Sequence, residues 1–180
     1  PGSAKNVMKN AAAIACEYQS LLPAHLTPEH TEKREGFIML SNMTGDNAEA
    51  CVNYIIRDHD FDSFEDKIEL MKKTADFINA KYGEGVCEIK ITESYRNMLE
   101  VIEKNEYVVE LAREAIRSVG LEPISRPVRG GTDGARLSYE GLPCPNLSTG
   151  GHNFHGKYEY IPVESMDKMV EIIKNIVSAN

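Results

Sequence analysis

The sequence predicts an α/β protein organised in two parts, and three observations support that class. Amphipathic helical segments alternate with short apolar segments of strand length. The 180 residues are 42% hydrophobic and 27% charged, which is typical of a globular chain with one core or two small ones. The pattern also changes near residues 94–97, from long helices and a hairpin to shorter, glycine-rich elements. We therefore expect residues 1–95 to form one part and residues 96–180 the other.

The first element is predicted to be a helix between Lys5 and Leu22. Apolar residues recur there at steps of three and four, which places them on one face of a helix. They are Val7, Ala11, Ile14, Tyr18 and Leu21. Pro23 and Pro28 follow, and because proline cannot continue a helix, the element is expected to end before them.

An antiparallel hairpin is predicted next. Residues 36–43 form an apolar run, and residues 50–56 alternate between apolar and polar types. The four residues 44–47, with the sequence TGDN, have the composition of a turn. The residues that share one face of the second strand are Ala50, Val52, Tyr54 and Ile56.

A second helix and a third strand complete the first part. Ser63 and Asp66 have the spacing of a capping box, and the apolar residues behind them keep helical spacing as far as Gly83. Residues 86–93 then alternate, which predicts a strand. The residues on its apolar face are Cys87, Ile89 and Ile91.

The predicted element order of the first part is therefore α-β-β-α-β. The split βαβ domain, also called ferredoxin-like, has the order β-α-β-β-α-β, so we expect that domain without its first strand. The absent strand would end where Pro1 begins, and no initiator Met is present. We expect Pro1 to mark a cut within a longer protein.

The second part is predicted to contain helices and two short strands, one before and one after a glycine-rich turn. A helix at residues 107–119 is stopped by Gly120, a strand follows at residues 124–128, and a closing helix carries apolar residues at residues 166–177. These pieces hold too few strands to build a sheet. We expect strands from an N-terminal half outside this chain to complete it.

Composition excludes several classes of partner. The formal net charge of -8 disfavours nucleic acid and anionic membrane surfaces, so small or peptide-like ligands fit better. The four cysteines show no C-x-x-C spacing, which disfavours a thiolate zinc site or a redox dithiol and predicts a reduced, cytoplasmic protein. No apolar run reaches membrane length, so no membrane partner is expected.

The densest polar and glycine-rich stretch is residues 129–136, with the sequence RGGTDGAR. Gly130 and Gly131 would let the backbone approach a ligand closely, and Arg129 offers a planar donor fork suited to a carboxylate. Asp133 could cap the following helix. A tight turn with a cap and a surface arginine is the structural alternative.

Three further positions could serve a site. His155, in the sequence HNFH, could bind zinc if its co-ligands came from elsewhere, or it could be an ordinary loop histidine. Arg57 ends a predicted strand, where an ion pair to a neighbouring Asp58 or Asp60 is the alternative. Asn97 lies at the junction of the two parts, where it could face a cleft or cap the next helix.

Five phrases of the sequence together resemble the tripeptide aminopeptidases of the peptidase T type. They are PGSAKNVMKNA at residues 1–11, YIIRDHD at 54–60, SYRNM at 94–98, RGGTDGARLSYEGLPCPNLSTGG at 129–151 and HGKYE at 155–159. The resemblance covers nearly the whole chain, and the longest phrase is highly specific. Its relatives are two-zinc metallopeptidases, which include glutamate carboxypeptidase, carnosinase and succinyl-diaminopimelate desuccinylase.

The resemblance implies a zinc-bearing α/β catalytic domain interrupted by a ferredoxin-like lid. Residues 1–95 would be the lid, and residues 96–180 the C-terminal segment of the catalytic domain. His155 resembles a ligand of one of two zinc ions, whereas His152 is given no metal role.

The resemblance also implies roles in substrate binding. Arg129, beside Gly130 and Gly131, is similar to an arginine that holds the terminal carboxylate of the substrate. Arg57 and Asn97 resemble lid residues that face a tripeptide. Related lids dimerise, so a homodimer through residues 1–95 is expected.

The same family pattern implies what these 180 residues lack. The remaining zinc ligands, the glutamate general base and the lid histidine before the PGSAK phrase are absent, so no catalytic residue is expected here. The chain alone is expected to be inactive without the missing N-terminal half. A non-catalytic peptide-binding or dimerisation module of the same family, or a structural remnant with open sheet edges, are the alternatives.

Overall fold

Residues 2–94 and 96–179 are described by the computed structural model, in which the chain forms two units. The first unit spans Pro1–Thr92 and the second spans Glu93–Asn180. Helices in both units and an antiparallel sheet in the first confirm the predicted α/β class. Residue 95, at which the predicted boundary falls, lies outside the described residues.

The first helix, α1, spans Ala11–Leu21 and so begins later than predicted. Asn10 has an extended backbone, and its side-chain oxygen accepts the N–H of Ala13 at 3.1 Å. This contact satisfies one of the free donors at the helix start, which is why the helix begins there. Two short 3-10 turns, Ala24–Leu26 and Pro28–His30, follow the helix.

The predicted hairpin is confirmed. Strand β1 spans Phe37–Gly45 and pairs antiparallel with β2, Ala50–Arg57. The register joins Phe37 to Arg57 at one end and Gly45 to Ala50 at the other, with a bulge between Leu40 and Asn42. A bulge adds one residue to one strand and increases the local twist. Arg57 therefore lies at the open end of the hairpin, opposite the start of β1.

The long second helix, α2, spans Phe61–Tyr82, and the predicted capping box at Ser63 is wrong. Asp60 is the N-cap, and its side chain accepts the N–H of Ser63 at 2.8 Å. An aspartate at this position satisfies a free donor and favours the positive end of the helix dipole. Gly83, with φ of +114°, ends the helix as predicted, in a conformation that residues with side chains rarely adopt.

One hydrophobic core joins α1, β1 and α2. The Tyr18 hydroxyl donates to the backbone carbonyl of Met71 at 2.9 Å, so this buried polar group has a partner. The buried residues of the core are Ile14, Tyr18, Leu22, Ile38, Met71, Ala75 and Ile78. The helical periodicity of the sequence thus correctly indicated the buried face of α2 and the burial of Ile14 and Tyr18 in α1. It was wrong at Leu21, which is 40% exposed, while Leu22 is buried instead.

The strand predicted at residues 86–93 is wrong, because no strand lies there among the described residues. A strand needs a neighbour that pairs with its backbone. The side-chain amide of Asn79 takes that place at a single residue, Cys87, whose N–H and C=O it binds. Of the apolar face predicted for this segment, Cys87 is half-buried, whereas Ile89 and Ile91 are exposed.

The second unit contains four helices in its described part. They are α3 at Leu99–Glu103, α4 at Tyr107–Ser118, α5 at Asp133–Tyr139 and α6 at Val163–Ser178. The helices α4 and α6 confirm the predicted pair. The strand predicted at residues 124–128 is wrong, since no strand is formed there. We infer that apolar character without a pairing neighbour is not sufficient for a strand.

The predicted stop of α4 at Gly120 is confirmed. Gly120 has φ of +78°, and the N–H of Leu121 donates back to the carbonyl of Ile116 at 3.3 Å. This pattern satisfies carbonyls that the helix end leaves free. Helix α4 packs against α6, where Ile172 is 1% exposed. The side chain of Asn175 also donates to the Ser118 hydroxyl at 2.8 Å.

None of the helices within residues 2–94 and 96–179 is both long and apolar enough to cross a membrane.

Candidate functional site

The glycine-rich turn at residues 129–132 leads directly into α5. Thr132 occupies the N-cap position with an extended backbone, and Asp133 is the first residue of the helix. The prediction that Asp133 caps this helix is therefore wrong. A residue inside the first turn has helical dihedral angles, and its side chain does not have the geometry that an N-cap needs.

The start of α5 is packed tightly against a later segment. A side-chain carbon added at Gly134 would lie 2.4 Å from the carbonyl oxygen of Cys144, so only glycine fits. The Ser138 hydroxyl, which is buried, donates to the carbonyl of Gly134 at 2.7 Å and accepts the N–H of Cys144 at 3.0 Å. The Asn146 side chain donates to the Thr132 hydroxyl at 3.1 Å. These contacts fix the turn to residues 144–146.

The turn itself faces open space at its predicted binding residues. A side-chain carbon added at Gly130 would meet no atom within 4 Å, and both Gly130 and Gly131 are exposed. Arg129 is half-buried beside them. The arrangement presents an accessible backbone next to a guanidinium, which could receive a carboxylate through charge-assisted hydrogen bonds.

The loop that carries His155 is closed at its base. His152 and Tyr160 form an antiparallel bridge, with N–O distances of 2.8 and 3.2 Å, and their rings stack at 5.0 Å. Inside the loop, the Asn153 side chain donates to the carbonyl of Tyr158 at 3.1 Å. A ring stack and two ladder bonds at the base restrict the conformations open to the residues between them.

His155 lies exposed within this loop, in the left-handed backbone region with φ of +61°. Its backbone N–H donates to the Glu159 carboxylate at 3.2 Å. Residues with side chains adopt this conformation infrequently, and such strain persists only where the surroundings hold it. Asn153 shares the same conformation, with φ of +56°. The loop therefore holds the His155 backbone in a defined conformation and leaves the imidazole exposed, which is compatible with a metal ligand.

Arg57 ends β2 and is half-buried, with its Nη1 donating to the carbonyl of Ile56 at 3.3 Å. The two acidic neighbours named as its alternative partners have other contacts. The carboxylate of Asp58 binds Lys67 at 2.6 Å, and that of Asp60 caps α2.

Asn97 makes the helix-start contact that was its structural alternative. Its side-chain oxygen accepts the N–H of Leu99, the first residue of α3, at 3.0 Å. Its backbone carbonyl accepts the Tyr139 hydroxyl at 2.7 Å. Asn97 thereby links the starting turn of α3 to the end of α5.

The predicted site residues fall in different parts of the fold. Arg57 belongs to the first unit, whereas Asn97, Arg129 and His155 belong to the second. The prediction that Arg129 and His155 line one crevice stays a prediction. Sequence reasoning missed Lys67, which is buried beside Asp58. Its helical spacing with the core residue Met71 was the signal that could have identified it.

No cluster of three or more His, Cys, Asp or Glu side chains that could hold a metal ion occurs within residues 2–94 and 96–179.

An open apolar groove of about 340 Å³ lies beside α6 in the second unit. Its lining residues are Leu147, Ser148, Thr149, Ile161, Met166, Met169 and Ile173. The exposed side of α6 continues this apolar character at helical spacing, through Val163, Met166, Val170, Ile173 and Val177. A helix face of this kind is normally covered by another element, so this surface is suited to a partner segment.

Comparison with known proteins identifies a matching family. Residues 4–179 match the model of peptidase family M20/M25/M40. The chain is 54% identical over 177 residues to Peptidase T of Alkaliphilus oremlandii strain OhILAs, and equally to Peptidase T of Caldanaerobacter subterraneus subsp. tengcongensis. Each match covers 98% of this chain and 43% of the relative. The chain thus spans less than half of the length of these relatives.

Two solved structures share the fold at low sequence identity. A tripeptidase from Staphylococcus aureus subsp. aureus Mu50 has a TM-score of 0.69 at 21% identity, with 94% of this chain and 45% of that chain covered. Aminopeptidase PepT from Bacillus cereus ATCC 10987 has a TM-score of 0.63 at 19% identity, with 98% and 47% covered. These likenesses support the fold.

Proposed function

The chain belongs to peptidase family M20/M25/M40, and on this premise we propose that it is the C-terminal part of a tripeptide aminopeptidase. The observation that carries the proposal is the 54% identity, over 98% of this chain, to proteins named Peptidase T. The complete protein would release the N-terminal residue of a tripeptide. The 180 residues alone would be inactive, because they supply a binding surface and one metal ligand.

The two units would take different roles in that protein. Residues 1–95 would be a ferredoxin-like lid, and residues 96–180 would close the catalytic domain. Support for the lid is the element order α-β-β-α, followed by a segment outside helices and strands whose Ile89 and Ile91 are exposed. A segment of this kind is suited to pair with a strand from outside the chain.

Arg129, Gly130 and Gly131 would bind the C-terminal carboxylate of the peptide. The guanidinium offers two parallel donors to the two carboxylate oxygens, and the exposed glycine backbone lets the ligand approach. Arg57 and Asn97 would complete the contact with the substrate.

His155 would be one ligand of a zinc ion. A neutral imidazole is a suitable zinc donor, and the closed loop holds it exposed. A catalytic zinc needs about three protein ligands, and the others would come from the missing N-terminal half. In the complete protein two zinc ions would supply an activated water, and this chain would contribute the imidazole that helps to hold one of them.

The missing N-terminal half would be the principal partner. The apolar face of α6 and the groove beside it are exposed in this chain, and Val170 is 57% exposed. Covering such a surface with apolar side chains would stabilise the complete protein by about 25 cal/mol for each Å² of apolar surface buried. We therefore assign this surface to the strands and helices that precede Pro1 in the complete protein.

Self-association and a cytoplasmic location are part of the same proposal. Exposed Leu40 in β1 and Phe77 in α2 give the first unit apolar surface that a second copy could cover. The four cysteines are unpaired, as expected for a protein in a reducing compartment. Light scattering on the purified chain would give the mass of the assembly.

A chimera tests the proposed activity. The part of the Alkaliphilus oremlandii relative outside the matched region is joined before Pro1, and trialanine hydrolysis is followed by chromatography with zinc present. We expect release of free alanine by the chimera and none by the 180-residue chain. A folded, zinc-loaded chimera that leaves trialanine intact would contradict the proposal.

Two substitutions in the chimera test the site. Arg129→Ala should lower kcat/KM about 30-fold or more, since losing a buried charged contact costs about 2 kcal/mol or more. It should also abolish the preference for trialanine over its C-terminal amide, whereas Arg126→Ala, at an exposed position, should preserve that preference.

His155→Ala should reduce the bound zinc measured by mass spectrometry, while His152→Phe keeps the ring stack and should retain the metal.

A further inference from the structure

Asp58 and Lys67 form a buried ion pair at the junction of β2 and α2. The Lys67 Nζ lies 2.6 Å from the Asp58 Oδ2, and the two side chains are 11% and 4% exposed. Lysine and aspartate are rarely buried unless they are paired. The remaining ion pairs described for the first unit are more exposed. The burial of these two charged side chains therefore needs an explanation, whereas an ion pair at the surface would not.

The surroundings of the pair are built to hold it. The second oxygen of Asp58 accepts the N–H of Asp60 at 3.0 Å, and Lys67 Nζ also donates to the carbonyl of Ser63 at 3.2 Å. Gly36 leaves the space that the carboxylate occupies, because a side-chain carbon added there would lie 2.0 Å from Asp58 Oδ2. The ion pair thus connects the start of β1, the β2–α2 turn and the first turns of α2.

Stability alone does not account for this arrangement. Removing two charges from water costs about as much as their attraction returns, and apolar residues of similar volume often stabilise a fold equally well. We therefore consider the effect of the pair on the backbone at the end of β2. Arg57 precedes Asp58 directly, and its carbonyl would lie 2.7 Å from a side-chain carbon at Gly36. The Asp58 carboxylate and the close approach of Gly36 therefore hold the backbone at the end of β2, from which the Arg57 side chain leaves.

We propose that Asp58 and Lys67 are positioning residues that hold the Arg57 guanidinium in the orientation needed to bind a peptide substrate. The proposal rests on the substrate-binding role proposed for Arg57. Positioning groups matter because a displacement of about 1 Å far from the chemistry can cost about 100-fold in rate.

The experiment compares a variant that loses one charge of the pair, and is expected to be less stable, with a variant that loses both charges and is expected to keep most of its stability. Lys67→Met leaves the Asp58 carboxylate buried without a counter-charge, whereas the double variant Asp58→Leu/Lys67→Met removes both charges. The control is Glu17→Leu/Lys81→Met, which removes a more exposed ion pair, at 2.5 Å, from the opposite end of α2. Thermal unfolding and the ¹⁵N order parameter of the Arg57 Nε–H are measured in the 180-residue chain, and KM and kcat in the chimera.

The variants should separate stability from positioning. Lys67→Met should lower the unfolding midpoint by more than about 10 °C, and the double variant should recover to within about 5 °C of the starting chain. The double variant should nevertheless lower the Arg57 order parameter from about 0.8 to below about 0.6. Its KM for trialanine should rise at least about tenfold with kcat within about threefold, whereas the control variant should leave the order parameter, KM and kcat unchanged.

Two results would overturn the proposal. A double variant with an unchanged order parameter would show that the pair does not orient Arg57. A lowered order parameter with an unchanged KM would show that Arg57 orientation does not matter for substrate. If the unsubstituted chimera fails to cleave trialanine, the proposed function fails, while the order parameter in the chain alone still decides whether the pair orients Arg57.

Discussion

The side-chain amide of Asn79 binds both backbone groups of Cys87. Its nitrogen donates to the Cys87 carbonyl and its oxygen accepts the Cys87 N–H, each at 2.8 Å. The last turns of α2 thereby hold the following segment against the core, to which Cys87 adds its half-buried side chain. One asparagine makes the two hydrogen bonds that a residue of a neighbouring strand would make.

Replacing Asn79 with alanine should destabilise the first unit. Two half-buried backbone groups would lose their partners, which should lower the free energy of unfolding by about 1–3 kcal/mol. Urea unfolding of the 180-residue chain measures this change. Lys72→Ala, at an exposed position of the same helix, is the control and should stay within about 0.5 kcal/mol. Equal effects of the two substitutions would contradict a structural role for the amide.

Gly130 of the glycine-rich turn and Gly134 of α5 should respond differently to alanine. At Gly134 the added carbon would lie 2.4 Å from the Cys144 carbonyl, so we expect a loss of about 1–3 kcal/mol in unfolding free energy. At Gly130 the added carbon meets no atom within 4 Å, so a change below about 0.5 kcal/mol is expected. Urea unfolding compares the pair, and similar losses at both positions would contradict the packing of α5 on residues 144–146.

The first unit should lose stability in alkaline solution. Burial raises the pKa of Tyr54 to about 12 from its ordinary value of 10, and it raises the pKa of Tyr18 as well. Because the folded pKa lies above the unfolded one, this contribution is complete below pH 10 and is lost as the pH rises toward 12. Unfolding midpoints at pH 9 and pH 11.5 measure the loss. In Tyr54→Phe the unfolding midpoints at pH 9 and pH 11.5 should differ less than in the starting chain. An unchanged difference would contradict the contribution of Tyr54 to the loss.

Acid should weaken the contact between α1 and the end of α2. Hydrogen bonds from Lys81 and then from Tyr82 hold the pKa of Glu17 below its ordinary value of 4.5. Since the folded pKa is the lower one, the stabilisation is present above pH 4.5 and is lost as the pH falls through the folded value. Thermal unfolding between pH 6 and pH 3 should therefore be less pH-dependent in Glu17→Gln. High salt should also bring the pH dependence of the starting chain closer to that of Glu17→Gln, because salt screens a contact at the surface.

The sequence predicted the helices and the hairpin of the first unit more completely than the hydrogen bonds at the ends of these elements. Helical spacing identified α1 and α2, and the TGDN segment identified the turn of the hairpin. The start of α2 was assigned to Ser63 because Ser63 and Asp66 match a common spacing, whereas the structure uses Asp60. Several residues near a helix start can act as caps, and which one does so depends on how the preceding turn enters the helix.

In the second unit, the candidate site was predicted from residue types and their resemblance to a family. The exposed glycine backbone beside Arg129 agrees with the composition of the RGGTDG segment. The role of Gly134 was not predicted, because its close neighbour, Cys144, lies ten residues further along the chain. Composition indicates that a turn exists, but it carries no information about what packs against that turn.

The sequence by itself determined the α/β class, the buried face of α2, the hairpin, and the phrases that resemble the family. These properties follow from local periodicity and residue type, which act over a few neighbouring positions. Only the tertiary structure decided that Lys67 neutralises Asp58 and that Asn79 replaces a strand partner for Cys87. Buried polar groups must find partners wherever the fold brings donors and acceptors together, and sequence distance does not fix those pairings.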